Sequence, residues 1–248
     1  MAYVQNDQPP GVPPLPLTGE RTLPDVPEEN YWFQRHIVVY RWIAKRVAGQ
    51  RVVDLGSGEG YGADLLAQHA AQVTGIEANP EAYEHARLRY RRPNLKFRRT
   101  LIEEFRDPLD VVVLLQTIEH MQDPEALVAH LAEVAPVAYI STPNRLTLAP
   151  EGAEKSGNPW HIREYTAAEY RELLEPAFSS VEILGLFHAR RLRVHGLAIK
   201  AGWDSVHPRL GITKPFYDRF VPALSERDFA LRSTNLDRAL DFVAVCRR

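Results

Sequence analysis

A short apolar run, Arg51–Leu55, passes directly into Gly56-Ser57-Gly58-Glu59-Gly60-Tyr61-Gly62, and no other stretch restricts the fold of this chain as strongly. Glycines packed that densely between a strand and a helix mark a turn whose backbone amides approach a bound ligand closely. A dinucleotide fingerprint needs glycine at the first, third and sixth places, and Tyr61 stands at the sixth, so a nicotinamide dinucleotide fits poorly. Asp54, two residues before the first glycine, would repel a phosphate and pair with an amine, so the expected ligand carries an ammonium group. Glu77, at the end of the next apolar segment, is placed to accept both hydroxyls of a ribose. The plainer alternative, a tight strand-to-helix turn and nothing more, leaves that acid in register without a reason.

Apolar segments at 51–55, 73–77, 95–99, 111–116 and 137–142 alternate with helical stretches near 60–69, 80–91 and 124–132. The alternation predicts an α/β fold with a mostly parallel sheet covered by helices on both faces. Asp123 followed by Pro124, and Thr166 with Glu169, are the local chemistry of helix starts. Two further strands, at 181–187 and 242–247, bring the expected sheet to seven. Roughly fifty residues separate those two, far more than an ordinary connection, so 188–238 is expected to be a helical insertion serving substrate or subunit contacts. Phe33, His36, Ile37, Tyr40, Ala44 and Val47 recur at helical spacing and open a single domain at 28–248. Residues 1–27, rich in proline and poor in large apolar side chains, are expected to be a disordered tail.

A net charge of −2 over 248 residues supplies no global field for nucleic acid or an anionic membrane. The arginines between Arg87 and Arg99 read as a solvated face. Cys246 is the only cysteine, and no window approaches the run of about 18 apolar residues that crosses a bilayer. The expectation is a cytoplasmic protein acting on a small molecule, with neither nucleic acid nor membrane as partner, and with a homodimer as the assembly such an insertion could support.

Ligands of open parallel sheets bind beyond the carboxyl ends of the strands. Gln116, Glu119 and His120 follow the fourth strand there, Ser141-Thr142-Pro143-Asn144 ends the fifth, and a loop leads on to Asn158-Pro159-Trp160-His161. The neutral ring of His161 suits either a metal ligand or a general base; the alternative is a loop histidine held by Glu164. Trp160, Phe187, Trp203 and Phe216 could stack on sugar rings, although aromatic side chains more often belong to a core.

The stretch VVDLGSGEGYG resembles the first motif of class I S-adenosylmethionine-dependent methyltransferases, and VTGIEANP resembles their ribose-binding segment. The resemblance implies a Rossmann-like methyltransferase fold. It also implies S-adenosylmethionine lined by Asp54, Gly56, Ser57, Gly58, Gly60, Glu77, Ala78 and Asn79, with Leu101 and Ile102 near the adenine. Gln116 would stand at the edge of that site, and His36 would lie in a helix covering the methionine carboxylate. Gln116-Thr117-Ile118-Glu119-His120 with the later His161 is similar to the divalent-metal site of ubiquinone-pathway and small-RNA 2′-O-methylating enzymes. That implies Glu119, His120 and His161 as ligands of Mg²⁺ or another divalent metal, with Gln116 where those enzymes carry glutamate. Glu119 and His120 also suit a supporting role beneath the cofactor, as in methyltransferases that bind no metal.

A longer resemblance runs through ENYWFQRH, QTIEHMQDPEAL, STPNRLTLAPEGAEKSGNPWHIREY, LGLFHARRLRVH and ITKPFYDRF. These stretches are similar to actinobacterial methyltransferases of polymethylated-polysaccharide biosynthesis, which methylate hydroxyls of short mannose or glucose oligosaccharides. The substrate implied is a small oligosaccharide, with the anomeric hydroxyl of a mannoside primer as one acceptor. An O-methyltransferase of RNA or of a small molecule such as a quinone, and a non-catalytic cofactor-binding protein, are the competing readings. In each catalytic version a hydroxyl attacks the sulfonium methyl in line, so the chain has to place that hydroxyl and take its proton, through His161 as base or with help from a metal.

Overall fold

A computed structural model of the chain describes residue 5, residues 8–200 and residues 214–248. Strand β1 (Arg51–Leu55) buries everything but its first residue, as expected of a central strand covered on both faces. Val53 and Leu55 enter one apolar cluster and Val52 the other, the period-two alternation of a strand dividing them between two layers. Parallel neighbours flank it: β2 (Gln72–Ile76) with β3 (Leu95–Arg98) beyond, and β4 (Val111–Leu115) with β5 (Val137–Pro143) beyond. Antiparallel pairings then add β8 (Asp241–Arg247), β6 (Ser180–His188) and β7 (Phe229–Arg232). The sheet has eight strands in the order β3-β2-β1-β4-β5-β8-β6-β7.

That is one strand more than the sequence predicted. The addition, β7, lies inside the insertion, which therefore is not wholly helical. Besides α7 (Arg190–Lys200) and α8 (Lys214–Phe220) it contributes a four-residue edge strand whose Phe229 pairs with His188. Four residues are too few for their alternation to stand out, and they acquire strand geometry only by pairing with β6. Trp203 lies outside the described residues.

Helix α1 (Asn30–Ala44) buries Val39, Tyr40, Ile43 and Ala44 against the sheet face that also holds α2 (Tyr61–Leu66). On the opposite face α4 (Pro124–Val134) and α6 (Ala167–Leu174) cover Val112, Leu114, Ala138 and Ile140. Caps set the helix starts: Asn79 Oδ1 accepts two amides at the head of α3 (Pro80–Arg89), Asp123 accepts from Ala126, and Thr166 and Glu169 form the reciprocal capping box.

The amino-terminal stretch differs from expectation. Leu15, Leu23 and Val26 are buried with Ala82 of α3. Gln5 donates to Glu59, the Pro13 carbonyl meets His85 Nδ1 at 2.7 Å, and Asp25 pairs with Arg89. The described residues before Pro27 therefore form a strap across α3 and the glycine-rich loop. A few well-placed apolar side chains, joined by ion pairs and buried hydrogen bonds, offset an ordering entropy that, on the scarcity of apolar residues, was expected to go uncompensated.

Candidate active site

The parallel strands β1, β2, β4 and β5 all end at one edge, and a cavity of about 1030 Å³ opens there. Gly56, Ser57, Gly58, Glu77, Ala78 and Ile102 line it. Glu77 is held by two backbone amides, Gly58 N to Oε2 and Asn79 N to Oε1, both at 2.8 Å, so the carboxylate bridges the glycine loop and the head of α3. Gly56 has φ of +70°, and a Cβ there would stand 2.9 Å from Thr117 Oγ1. Only glycine fits where the loop runs against the end of β4.

Not every expected cofactor residue reaches the cavity. Asp54 is fully buried beneath the loop, where Tyr40 donates to its Oδ1 at 3.1 Å, and burial pushes its carboxyl up to about 7. Asn79 spends its side chain on the helix cap. Gly60, with φ of +102°, turns the loop into α2 against Ala86 and Tyr90. Leu101 lies 52% exposed outside the lining. His36 does line the cavity; its Nδ1 meets the Tyr61 hydroxyl at 2.7 Å, and burial pushes its pKa down to about 4, so the ring is neutral.

The other side of the cavity is built on the segments after β4 and β5. Gln116 adopts φ of +51°, rare for a residue with a side chain, and its backbone N and Nε2 both donate to Ser141 Oγ at 3.1 Å. The turn it starts carries Glu119 and His120 into the cavity, and Ile162 N donates to the Glu119 carbonyl, drawing in the loop that bears His161. Ligand atoms of Glu119, His120 and His161 all fall within 4.8 Å of one another. His120 Nδ1 donates to the Trp160 carbonyl at 2.8 Å, and His161 Nδ1 to Glu164 Oε1 at 2.6 Å. Both rings thereby direct Nε2 lone pairs outward, that of His161 accepting from Asn158 Nδ2 at 3.0 Å. Glu119 is 1% exposed, its Oε2 has no hydrogen-bond partner among the described residues, and burial pushes its carboxyl up to about 8. A buried orphan carboxylate oxygen beside two oriented imidazoles is a donor set that suits a divalent cation. Asn144, by contrast, is structural: its Nδ2 donates to the Ala239 carbonyl at 2.8 Å and its Oδ1 caps α5 (Arg145–Leu148).

Several lining residues escaped sequence reasoning. Arg35 lines the cavity with its guanidinium 4.5 Å from the Trp32 ring and pairs with Asp241 through Nε at 3.1 Å. The strap contributes Glu20 and Arg21. Glu59, 1% exposed, gathers His85, Tyr90, Arg89 and Gln5 around its carboxylate. Each is brought to the site by residues remote in sequence, and only the helical spacing around His36 hinted at any of them.

A Rossmann-like sheet with a glycine loop, an acid held by two amides after β2 and a polar edge beyond β4 and β5 defines a protein built to bind a nucleoside cofactor. The chain belongs to the methyltransferase domain family, whose model matches residues 33–195. It is 41% identical over 251 aligned positions to a probable S-adenosylmethionine-dependent methyltransferase of Mycolicibacterium smegmatis, covering 94% of this chain and 95% of that one. A ubiquinone biosynthesis O-methyltransferase of Xylella fastidiosa is 32% identical over 149 positions, 55% of this chain and 60% of the relative. Among solved structures, a Thermotoga maritima S-adenosylmethionine-dependent methyltransferase described as a possible histamine N-methyltransferase shares the fold, with a TM-score of 0.60, 17% identity, and coverage of 89% and 94%. The protein is an S-adenosylmethionine-dependent methyltransferase. No helix among the described residues is long and apolar enough to cross a membrane.

Proposed function

We propose that the chain methylates a hydroxyl of a short mannoside or glucoside, in the making of a polymethylated polysaccharide, with the reducing-end 1-OH the acceptor to be tried first. The observation that carries the O-methyltransferase reading is the meeting of Glu119, His120 and His161 in the cavity that holds the glycine loop. S-adenosylmethionine is assigned to the glycine-loop side, its ribose on Glu77, and the acceptor to the side of the two histidines. His161 Nε2 takes the hydroxyl proton as the oxygen attacks the methyl in line; the new C–O bond forms as the S–C bond breaks, leaving S-adenosylhomocysteine and a methyl ether. Glu164, already bonded to Nδ1, holds the ring and stabilises the imidazolium. In the metal-dependent version of this reading Glu119, His120 and His161 would instead hold a divalent ion, His161 then being a ligand and not the base, and the ion when bound would lower the proton affinity of a hydroxyl.

Two observations favour a small acceptor over RNA. Four of the seven cations of the basic face are engaged by acids, Arg87 with Glu84, Arg89 with Asp25, Arg92 with Asp64 and Arg98 with Asp107, which reduces the positive charge left for phosphates. Trp32 and Trp160 line the cavity while 40% and 46% exposed, as stacking platforms are and core residues are not. The relative from ubiquinone biosynthesis favours a second reading, a phenolic acceptor. Labelled methyl transfer to a panel of manno- and gluco-oligosaccharides, set beside a catechol, tests both: transfer to the catechol alone would overturn the sugar reading.

A further inference from the structure

The strap before α1 forms part of the wall of the cavity. Residues 19–22 line it, although nothing in their composition marks a site. The strap is fastened on both sides of that point. Ahead of it Gln5 reaches Glu59 at 3.1 Å and Leu15 is buried; behind it Leu23 and Val26 are buried on Ala82 and Asp25 holds Arg89 at 2.6 Å. Glu20 and Arg21 are thus presented from a segment tied to the glycine loop through the Glu59 carboxylate.

The Arg21 side chain is only 10% exposed, yet among the described residues its guanidinium pairs with a single acid, the adjacent Glu20 at 3.0 Å. An arginine drawn in from solvent to line a cavity, with a fork of five donors and one neighbouring acceptor, has hydrogen-bonding capacity to spare. Glu20 keeps 43% of its side chain exposed and lines the same cavity as His120 and His161. The tryptophans Trp32 and Trp160 line the same cavity.

We propose that Glu20 and Arg21 of the amino-terminal strap form a saccharide subsite, hydrogen-bonding the hydroxyls and ring oxygen of the acceptor while Trp32 and Trp160 cover its apolar faces. The carboxylate accepts from sugar hydroxyls and the guanidinium donates to them, a complementary pair that suits an uncharged polyol and gives little to a flat phenol. The strap is then a specificity-determining element, and the proposal rests on the sugar reading above.

The test uses the full chain and has two arms. In the first, the wild type receives labelled S-adenosylmethionine with short manno- and gluco-oligosaccharides or, separately, a catechol. Methylation of the catechol alone sinks the sugar reading and this subsite together. In the second, run on the saccharide the wild type methylates best, Glu20→Gln and Arg21→Ala each raise the acceptor KM by about tenfold, while kcat and S-adenosylhomocysteine affinity by calorimetry stay within about twofold. Arg21→Lys, which keeps the charge and loses the fork, recovers part of the KM. An unchanged KM in folded variants overturns the subsite and leaves the sugar reading standing. A parallel loss of S-adenosylhomocysteine affinity also overturns it, by assigning Arg21 to the cofactor. Should Arg21→Ala fail to fold, Glu20→Gln and Arg21→Lys decide by the same criteria.

Discussion

Glu119 illustrates how one residue can be costly to the fold and useful to the site. Its carboxyl titrates at about 8 against an ordinary 4.5 because burial disfavours the charge. Between those values the folded chain keeps a proton that the unfolded chain has already released, so this group's contribution to stability falls as pH rises through that window. Asp54, raised by burial to about 7 from 3.8, acts in the same direction. The wild type should therefore lose melting temperature between about pH 5 and pH 8, and Glu119→Gln should lose less, a difference on the order of a few kcal/mol. If a divalent ion occupies the cluster, Mg²⁺ or Mn²⁺ should raise the melting temperature of the wild type at the upper pH and leave Glu119→Gln unmoved. At His161 the expectation concerns turnover: His161→Ala should cut kcat about 10²-fold or more with cofactor affinity nearly unchanged, measured by steady-state kinetics and calorimetry. Activity that EDTA abolishes and Mg²⁺ restores would make His161 a ligand; indifference to EDTA would leave it the base. The histidines and Glu119 could be picked out in the sequence because their spacing after β4 resembles a known motif. The capture of His161 by Glu164 was also open to view as an i, i+3 pair, although the direction it gives Nε2 was not.

At the level of elements, the strap and the extra strand are where sequence and structure part. Residues 1–27 read as a tail because seven prolines and few large apolar groups argue against a core. Leu15 and Leu23 nevertheless lie 1% and 0% exposed, and removal of the segment would leave Glu59 and His85, both essentially without solvent, short of partners. Deleting residues 1–26 should lower the melting temperature by about 5 °C or more, from the loss of two buried leucines and a set of buried polar contacts. A truncated chain that melts with the wild type would show that the strap adds nothing to stability. The helix starts behaved otherwise. Asn79, Asp123 and Thr166 cap the helices whose first turns they precede, since a cap depends on groups within three residues and sequence order already places them together.

Across the whole molecule, the pair Arg35 and Asp241 joins α1 to the start of β8 over 206 residues of sequence, with both side chains at 6% exposure or less. Helix α1 and the carboxyl-terminal strand are thereby locked together at the wall of the cavity, so Trp32 and Arg35 keep their places only if β8 is in register. Asp241→Asn leaves the guanidinium buried without its counter-charge and should cost about 3–5 kcal/mol, seen as a fall of roughly 10 °C in melting temperature. A double variant, Arg35→Met with Asp241→Leu, should regain most of that stability and none of the activity that depends on Arg35. A melting temperature for Asp241→Asn equal to that of the wild type would show that the pair is not the tie between the two ends of the chain.

By itself the sequence determined the alternation of strands and helices and the glycine loop with its acid in register, since each is written in residues near one another; it also singled out Glu119, His120 and His161, whose ligand atoms the fold brings within 4.8 Å of one another. Tertiary structure alone decided which of the expected cofactor residues face the cavity. Asp54 went beneath the loop to Tyr40, Asn79 to its helix cap, and Leu101 to the outside. It alone decided that Arg35, Glu20 and Arg21 reach the site, and that a short segment of the insertion becomes a strand. The physical reason is the same in each case. Periodicity and capping are governed by groups a few residues apart, whereas burial, the pairing of charges and the register of an edge strand depend on partners that the chain meets only after it has folded.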